Sequence, residues 1–273
     1  MKILVTGHKG FIGKNLATYL SSRGHEVEGW EYIPNTIPDP SGYDWVVHLG
    51  AITATTCTDV EQIMEQNFEN SVRLVQACDM MGVNFQYASS ASVYGPTEHF
   101  KEDGPLLPQS PYAWSKYLFD RFINQFKDDF QITVQGLRYF NVYGMGEEHK
   151  GDQASPYTKF RHQALTNKKI KVFEGSEHYK RDFVCVNDVC RVHELMFDCN
   201  QKGIFNVGTG LSVSFETVAR TIANKYSSEI EYIPIPEKLK SQYQKYTCAN
   251  LDKLNSVINM KWTTIEDYIN GTD

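Results

Sequence analysis

Residues 1–31, MKILVTGHKGFIGKNLATYLSSRGHEVEGWE, decide the fold. An apolar run at Ile3–Val5 reads as a short strand. A glycine turn follows, and then an amphipathic helix with apolar positions at Phe11, Ile12, Leu16 and Leu20. Gly24 closes that helix and a second strand leads to Glu31. The unit is β-α-β, with Gly7, Gly10 and Gly13 spaced G-x-x-G-x-x-G. Glycines in that turn let the backbone approach a pyrophosphate, whose charge then sits at the helix N-terminus. Glu31 lies about 20 residues past the turn, where an acid can accept hydrogen bonds from an adenosine ribose. Strand, turn, helix and acid in register predict a dinucleotide site.

The alternation continues outward from this unit. Strand-like runs occur at WVVHLG (45–50), NFQYASSASVYG (84–95) and ITVQGLRYFNVYG (132–144), with helical stretches near 60–81 and 112–127. This pattern predicts an α/β fold: a Rossmann-like, doubly wound parallel sheet covered on both faces. Past residue 151 the pattern becomes less regular, with KIKVFEG, GIFNVGTG and EIEYIPIP as short strands. The expected division is a nucleotide-binding domain over 1–150 and a smaller C-terminal substrate-binding lobe over 151–273, with segments returning to the main sheet.

Composition narrows the class. A chain of 273 residues that is 41% hydrophobic can bury a substantial core, and a net charge of −6 argues against an electrostatic nucleic-acid binder. No apolar run reaches the roughly 20 residues of a membrane span, and Met1-Lys2 leads directly into a strand rather than a signal peptide. The six cysteines show neither C-x-x-C nor zinc-like spacing, so free thiols in a reducing cytoplasm and no metal site are expected.

SPYAWSK, residues 110–116, supplies the chemistry. Of 16 tyrosines, only Tyr112 is followed four residues later by a lysine, Lys116. Ser110 suits an N-cap and Pro111 a first helical turn, so Tyr112 and Lys116 share one helix face. A neighbouring ammonium favours phenolate over phenol, and the positive nicotinamide of an oxidised cofactor adds to the effect. Lys116 can also hydrogen-bond the nicotinamide ribose. YASSASVYG offers Ser89, Ser90 and Ser92 as the accompanying hydroxyl. Alone, the pair also fits an exposed Tyr/Lys couple on a helix surface.

TGHKGFIG, HLGA (48–51), SSASVYG (89–95), YAWSK (112–116) and RYFNVYG (138–144) together resemble the extended short-chain dehydrogenase/reductase family. The resemblance implies nucleotide-sugar chemistry on a tightly held NAD or NADP, with Ser90, Tyr112 and Lys116 in the catalytic positions. Downstream, RYFNVYGMGEEHKGDQAS, KVFEGSEHYKRDFVCVNDV, GIFNVGTGLSVSF and IEYIPIPEKLKSQYQKYTCANL are most similar to the ADP-L-glycero-D-manno-heptose 6-epimerases. That likeness implies inversion at C6 by transient oxidation, with Tyr112 and Lys150 each handling a proton for one orientation of the ketone. By itself Lys150 reads as a solvated loop lysine. The likeness assigns Phe11, Ile12, Glu31, Gly50, Ala51, Asn67, Lys116 and Val142 to the cofactor. To the sugar nucleotide it assigns Asn141, Asp152, Lys159, Phe173, Glu174, Gly175, Ser176, Arg181 and Tyr243. An arginine fork suits a diphosphate, although Arg181 beside Asp182 also fits a structural ion pair. A homo-oligomer is implied by resemblance alone.

The chain departs from the pattern in places. The segment between Glu31 and Tyr43 is short, and lysines that hold an adenosine 2′-phosphate are absent from their usual places. Tyr32 stands where an asparagine is typical, and Glu31 would repel a 2′-phosphate. These features lean towards NAD, against the NADP that the resemblance implies. Asp152 replaces a serine and Lys159 a histidine, changes that either offset one another in charge or signal a different nucleotide or sugar. Two rivals to the 6-epimerase reading remain open: a UDP-sugar 4-epimerase and a non-catalytic nucleotide-binding protein. A 4,6-dehydratase is disfavoured, because Ala91 and Ser92 occupy the positions of its Asp-Glu pair.

Overall fold

The computed structural model describes residues 1–54, 57–236 and 244–271. The chain forms two compact units. The first comprises Met1–Tyr139, Cys190–Asn206 and Asp252–Asn259; the second comprises Phe140–Val189, Val207–Leu251 and Met260–Asp273. Residues 140–150 therefore fall in the second unit.

The first unit is built on a six-stranded sheet in the order β2-β1-β3-β4-β5-β9. Its strands are β1 (Lys2–Thr6), β2 (Glu26–Trp30), β3 (Trp45–His48), β4 (Asn84–Ser90), β5 (Val134–Tyr139) and β9 (Gly203–Val207). The pairings of β1 with β2 and β3, of β3 with β4 and of β4 with β5 are parallel. Buried strands alternate their side chains between faces. Ile3, Val5, Trp45 and Val47 pack with Leu16 and Leu20 of helix α1 (Phe11–Ser22), while Leu4, Val46 and Phe85 pack with Leu74, Val75, Phe119 and Ile123. Those last residues belong to α3 (Asn70–Met81) and α4 (Pro111–Phe126). Both faces are thus covered, as the near-continuous apolar strands require.

The shortened connection after Glu31 leaves β2 at the sheet edge. Lys2 Nζ lies 3.0 Å from Glu28 and 3.9 Å from Glu26 on that edge. Charges there oppose pairing with another chain.

Two segments depart from the sequence expectation. The helical stretch near 60–81 is α2 (Val60–Met64), a π-helical turn (Glu65–Glu69) and α3. The run 84–95 ends as a strand at Ser90, whose hydroxyl accepts from Ser92 N at 3.2 Å and starts a 3₁₀ turn over Ala91–Tyr94.

The second unit holds β6 (Asn141–Tyr143), α5 (Pro156–Asn167), β7 (Lys169–Phe173), β8 (Lys180–Cys185), β10 (Ser212–Ser214), α7 (Phe215–Tyr226) and β11 (Glu229–Ile233). β8 lies between β10 and β6, and β7 pairs in parallel with β11. Helix α6 (Val186–Phe197) runs across the boundary at Val189. Tyr143, Tyr157, Phe183, Phe215, Ile222 and Tyr268 lie in the core of the second unit. Among the described residues no helix is long and apolar enough to cross a membrane. All six cysteines are free; Cys78, Cys185 and Cys190 are buried, and the other three are partly exposed.

Candidate active site

The glycine turn is built for close approach. Gly7 has φ +67°, and a Cβ there would come within 2.7 Å of the Gly50 backbone. A Cβ at Gly13 would come within 2.2 Å of the Gly7 carbonyl, so the helix must pack on the turn without a side chain. Gly10 is the N-cap of α1 and supplies no capping side chain. The turn thus brings backbone rather than a side chain to the N-terminus of α1, which suits a dinucleotide diphosphate. The Phe11 side chain is buried in the core, so a cofactor would meet its backbone; Ile12 is half-buried. At the end of β2, Glu31 Oε1 accepts from Lys9 N at 2.7 Å and lies 3.0 Å from His8 Nδ1. Gly50 N donates to Thr6 Oγ1 at 3.2 Å, tying the Gly50-Ala51 loop to the end of β1.

Helix α4 presents the reacting groups. Ser110 caps it, accepting from Ala113 N at 3.1 Å. The Ser90 hydroxyl lies near enough to the Tyr112 phenol to pull its pKa down. Lys116 Nζ lies 6.0 Å from the Tyr112 ring centroid, with the lysine only 5% exposed. Burial lowers the Lys116 pKa to about 8, partly opposed by the Asp120 carboxylate. Tyr112 corrects the sequence argument. Its phenol is pushed up by burial, with the Ser90 hydroxyl pulling it down and Asp120 pushing it further up. In the unliganded protein, desolvation therefore outweighs any help from the lysine.

One helical turn past Lys116, Asp120 anchors a buried network. Its Oδ2 accepts from Arg138 Nη2 at 2.8 Å and Nε at 3.2 Å and from Ser89 Oγ at 2.8 Å; Oδ1 accepts from Tyr87 Oη at 2.9 Å. Arg138 Nη1 donates to Tyr94 Oη at 2.9 Å, which in turn donates to Asn206 Oδ1 at 2.7 Å. The network separates the candidate hydroxyls: Ser89 serves Asp120, and its neighbour Ser90, on the other side of the pleat, serves Tyr112.

The π-helical turn carries Asn67, which is 1% exposed. Its side chain accepts from Ile52 N at 2.8 Å and donates to Ile52 O at 2.9 Å and Ser115 Oγ at 3.1 Å. Ser115 Oγ donates to Tyr112 O at 2.7 Å. Asn67 therefore braces the Gly50–Ile52 loop against α4. Behind it, His48 lies 2.7 Å from Thr6 Oγ1 and 2.8 Å from Ser71 Oγ, and Ser71 donates to Asn67 O at 2.8 Å. Burial, with Lys116 nearby, lowers the His48 pKa to about 3, keeping the ring neutral. His48, Asp120 and Arg138 are the members of this site that sequence reasoning missed. The one signal for Asp120 was its spacing of four from Lys116 along the same helix face.

In the second unit, Asn141 and Val142 are half-buried on β6. Lys150 Nζ is 3.2 Å from Glu147 Oε1. Lys159 Nζ donates to the backbone carbonyl of Asp152 at 2.7 Å, so these two replaced positions do meet, though not carboxylate to ammonium. β7 ends at Phe173, Glu174 N donates to Ile233 O at 2.9 Å, and Gly175 turns with φ +77°. Ser176 is 1% exposed and its Oγ has no partner among the described residues. Arg181 stacks 5.3 Å from the Phe215 ring, with Nη1 donating to Lys180 O at 2.9 Å. The ion-pair reading of Arg181 with Asp182 is not met. Asp182 instead accepts from Thr209 N and Oγ1, Gly210 N and Ala249 N at 2.7–3.0 Å. Tyr243 lies outside the described residues.

Comparison with known proteins follows this geometry. The family model of the NAD dependent epimerase/dehydratase family matches residues 3–208. The ADP-L-glycero-D-manno-heptose-6-epimerase of Brachyspira hyodysenteriae is 36% identical, over 93% of this chain and 91% of its own. The crystal structure of the Helicobacter pylori ADP-L-glycero-D-manno-heptose-6-epimerase superposes with a TM-score of 0.87 at 26% identity, covering 98% of this chain and 94% of that one. The Thermus thermophilus UDP-glucose 4-epimerase complex with NAD gives 0.77 at 26% identity, with coverage of 94% and 92%.

Proposed function

The chain belongs to the NAD dependent epimerase/dehydratase family, and from that membership we propose that it inverts C6 of ADP-D-glycero-D-manno-heptose to the L-glycero form. The observation that carries the proposal is the grouping of Ser90, Tyr112 and Lys116 on α4 and at the end of β4. That grouping suits removal of a proton from an alcohol oxygen as its carbon gives up hydride.

A bound nicotinamide cofactor supplies the hydride acceptor and donor. Tyr112 moves the proton at the C6 oxygen, the Ser90 hydroxyl favours its phenolate form, and Lys116 together with the positive nicotinamide of a bound cofactor would offset the burial that raises the phenol. The ketone then turns over, and Lys150 moves the proton for the other orientation. Ala91 and Ser92 offer no acid-base pair for eliminating water, which favours epimerisation over dehydration. Asn141, Phe173, Glu174, Gly175, Ser176 and Arg181 are the proposed contacts to the sugar nucleotide, together with Asp152, Lys159 and Tyr243. Gly7, Gly10, Phe11, Ile12, Gly13, Glu31, Gly50, Ala51, Asn67, Lys116 and Val142 are the proposed contacts or braces for the cofactor. Glu31, held by Lys9 N just past β2, is a carboxylate that would repel a 2′-phosphate, which supports NAD over NADP.

The test is incubation with ADP-D-glycero-D-manno-heptose, following the C6 proton by NMR, with Tyr112→Phe and Lys150→Ala alongside. Conversion by the wild type with both variants impaired is expected. A wild type that holds NAD but leaves this substrate untouched, while converting a UDP-hexose, would move the assignment to a 4-epimerase.

A further inference from the structure

The second unit buries a carboxylate that the proposed chemistry has not yet used. Glu147 is 1% exposed and both of its oxygens are engaged. Oε1 faces Lys150 Nζ at 3.2 Å. Oε2 accepts from Ser155 Oγ at 2.6 Å and Thr158 Oγ1 at 2.8 Å. These two hydroxyls sit at the start of α5, and Ser155 is its N-cap, accepting from Thr158 N at 3.3 Å. The backbone closes the same turn, with Lys150 N donating to Glu147 O at 3.0 Å. The carboxylate thus lies at a helix N-terminus with two fixed donors on one oxygen, which hold it in place. A charge so buried is costly unless a cation answers it, and the lysine three residues on does so.

We infer that Glu147 is the positioning residue for Lys150, setting where its ammonium points. The inference rests on Lys150 acting as the second proton-transfer group. Paired with Glu147, Lys150 enters the cycle as the ammonium and acts as the proton donor. Tyr112, on the opening step, forms an O–H bond to the proton released from the C6 hydroxyl. On the return step one N–H bond of Lys150 breaks, an O–H bond forms at C6, and Nζ is left neutral beside Glu147. Tyr112 then releases its proton to solvent and Nζ takes one up, restoring the ion pair with no net gain or loss of protons. An isolated loop lysine would lack a fixed direction and a counter-charge. The Ser155 and Thr158 hydroxyls supply the direction by holding the far oxygen of the carboxylate.

The test uses the holoenzyme and four variants: Glu147→Gln, Glu147→Asp, Lys150→Ala and the double Glu147→Gln/Lys150→Ala. Glu147→Gln keeps the shape and the hydroxyl contacts but removes the charge. It is expected to lower kcat about 100-fold, the lower end of what a positioned proton donor contributes, with KM and retained nicotinamide unchanged. Glu147→Asp should recover part of the loss, and the double variant should be no slower than Lys150→Ala alone. Thr158→Val, which removes one hydroxyl and leaves the N-cap, should cost several-fold in kcat and so tests the same contact if Glu147→Gln fails to fold. A Glu147→Gln enzyme at the wild-type kcat overturns the inference. So does a double variant slowed by the full product of the two single effects. If instead Lys150→Ala runs at the wild-type rate, the two-base reading itself fails, whatever Glu147 does.

Discussion

Replacing Lys116 by methionine should remove activity and stabilise the fold. The methionine keeps the apolar stem in its buried slot and deletes only the ammonium. Burial moves the Lys116 pKa from 10.5 to about 8. At about 1.4 kcal/mol per pH unit, the buried charge costs about 3 kcal/mol at pH 7, with the attraction of Asp120 already included. Because the folded-state pKa is the lower one, the unfolded chain holds the extra proton between pH 8 and 10.5. Stability therefore rises with pH across that window; the cost is full below it and gone above it. Cofactor-free Lys116→Met should unfold about 3 kcal/mol later than the wild type at pH 7, roughly 6–12 °C in Tm for a chain of this size. The gap should narrow by about 1 kcal/mol at pH 9. Urea unfolding followed by tryptophan fluorescence at both pH values measures it. A variant no more stable than the wild type at pH 7, or a gap that does not shrink at pH 9, refutes the reasoning.

Other expectations follow from the same buried groups. Asp120→Asn leaves the Arg138 guanidinium, 0% exposed, without its carboxylate, and should cost about 3–5 kcal/mol in the same urea assay. Burial holds His48 and His193 near a pKa of about 3. Since the unfolded chain takes up those protons first as the pH falls below 6.5, each ring should cost about 2 kcal/mol between pH 7.5 and pH 5, readable as a falling urea midpoint. Gly13→Ala forces a Cβ against the Gly7 carbonyl and should abolish cofactor retention, seen as loss of nicotinamide from the purified protein.

What the sequence made legible was local. Gly7, Gly10, Gly13 and Glu31 announce the turn because its geometry is set within one β-α-β unit. Tyr112 and Lys116 announce themselves because a spacing of four puts them on one helix face. The rest depends on contacts between distant segments. Asp120 meets Arg138 from 18 residues away, and His48 meets Ser71 from 23, through packing of helices on the sheet that spacing cannot reveal. The choice of Ser90 over Ser89 follows from the pleat of β4, and hence from a register fixed only in the folded sheet. The π-helical turn that aims Asn67 has no sequence rule behind it. The expectation for Tyr112 missed for a related reason: the lysine's effect on the phenol was legible, and the burial opposing it was not.

The most direct measurement starts from ADP-D-glycero-D-manno-heptose carrying deuterium at C6, incubated with the holoenzyme in ordinary water and analysed by NMR and mass spectrometry. Transient oxidation stores that deuterium on the bound cofactor and returns it to the opposite face, so L-glycero product retaining the label is the expected result. Product with the label exchanged for solvent hydrogen, or no conversion by enzyme carrying its cofactor, would contradict epimerisation by hydride return at Tyr112 and Lys150.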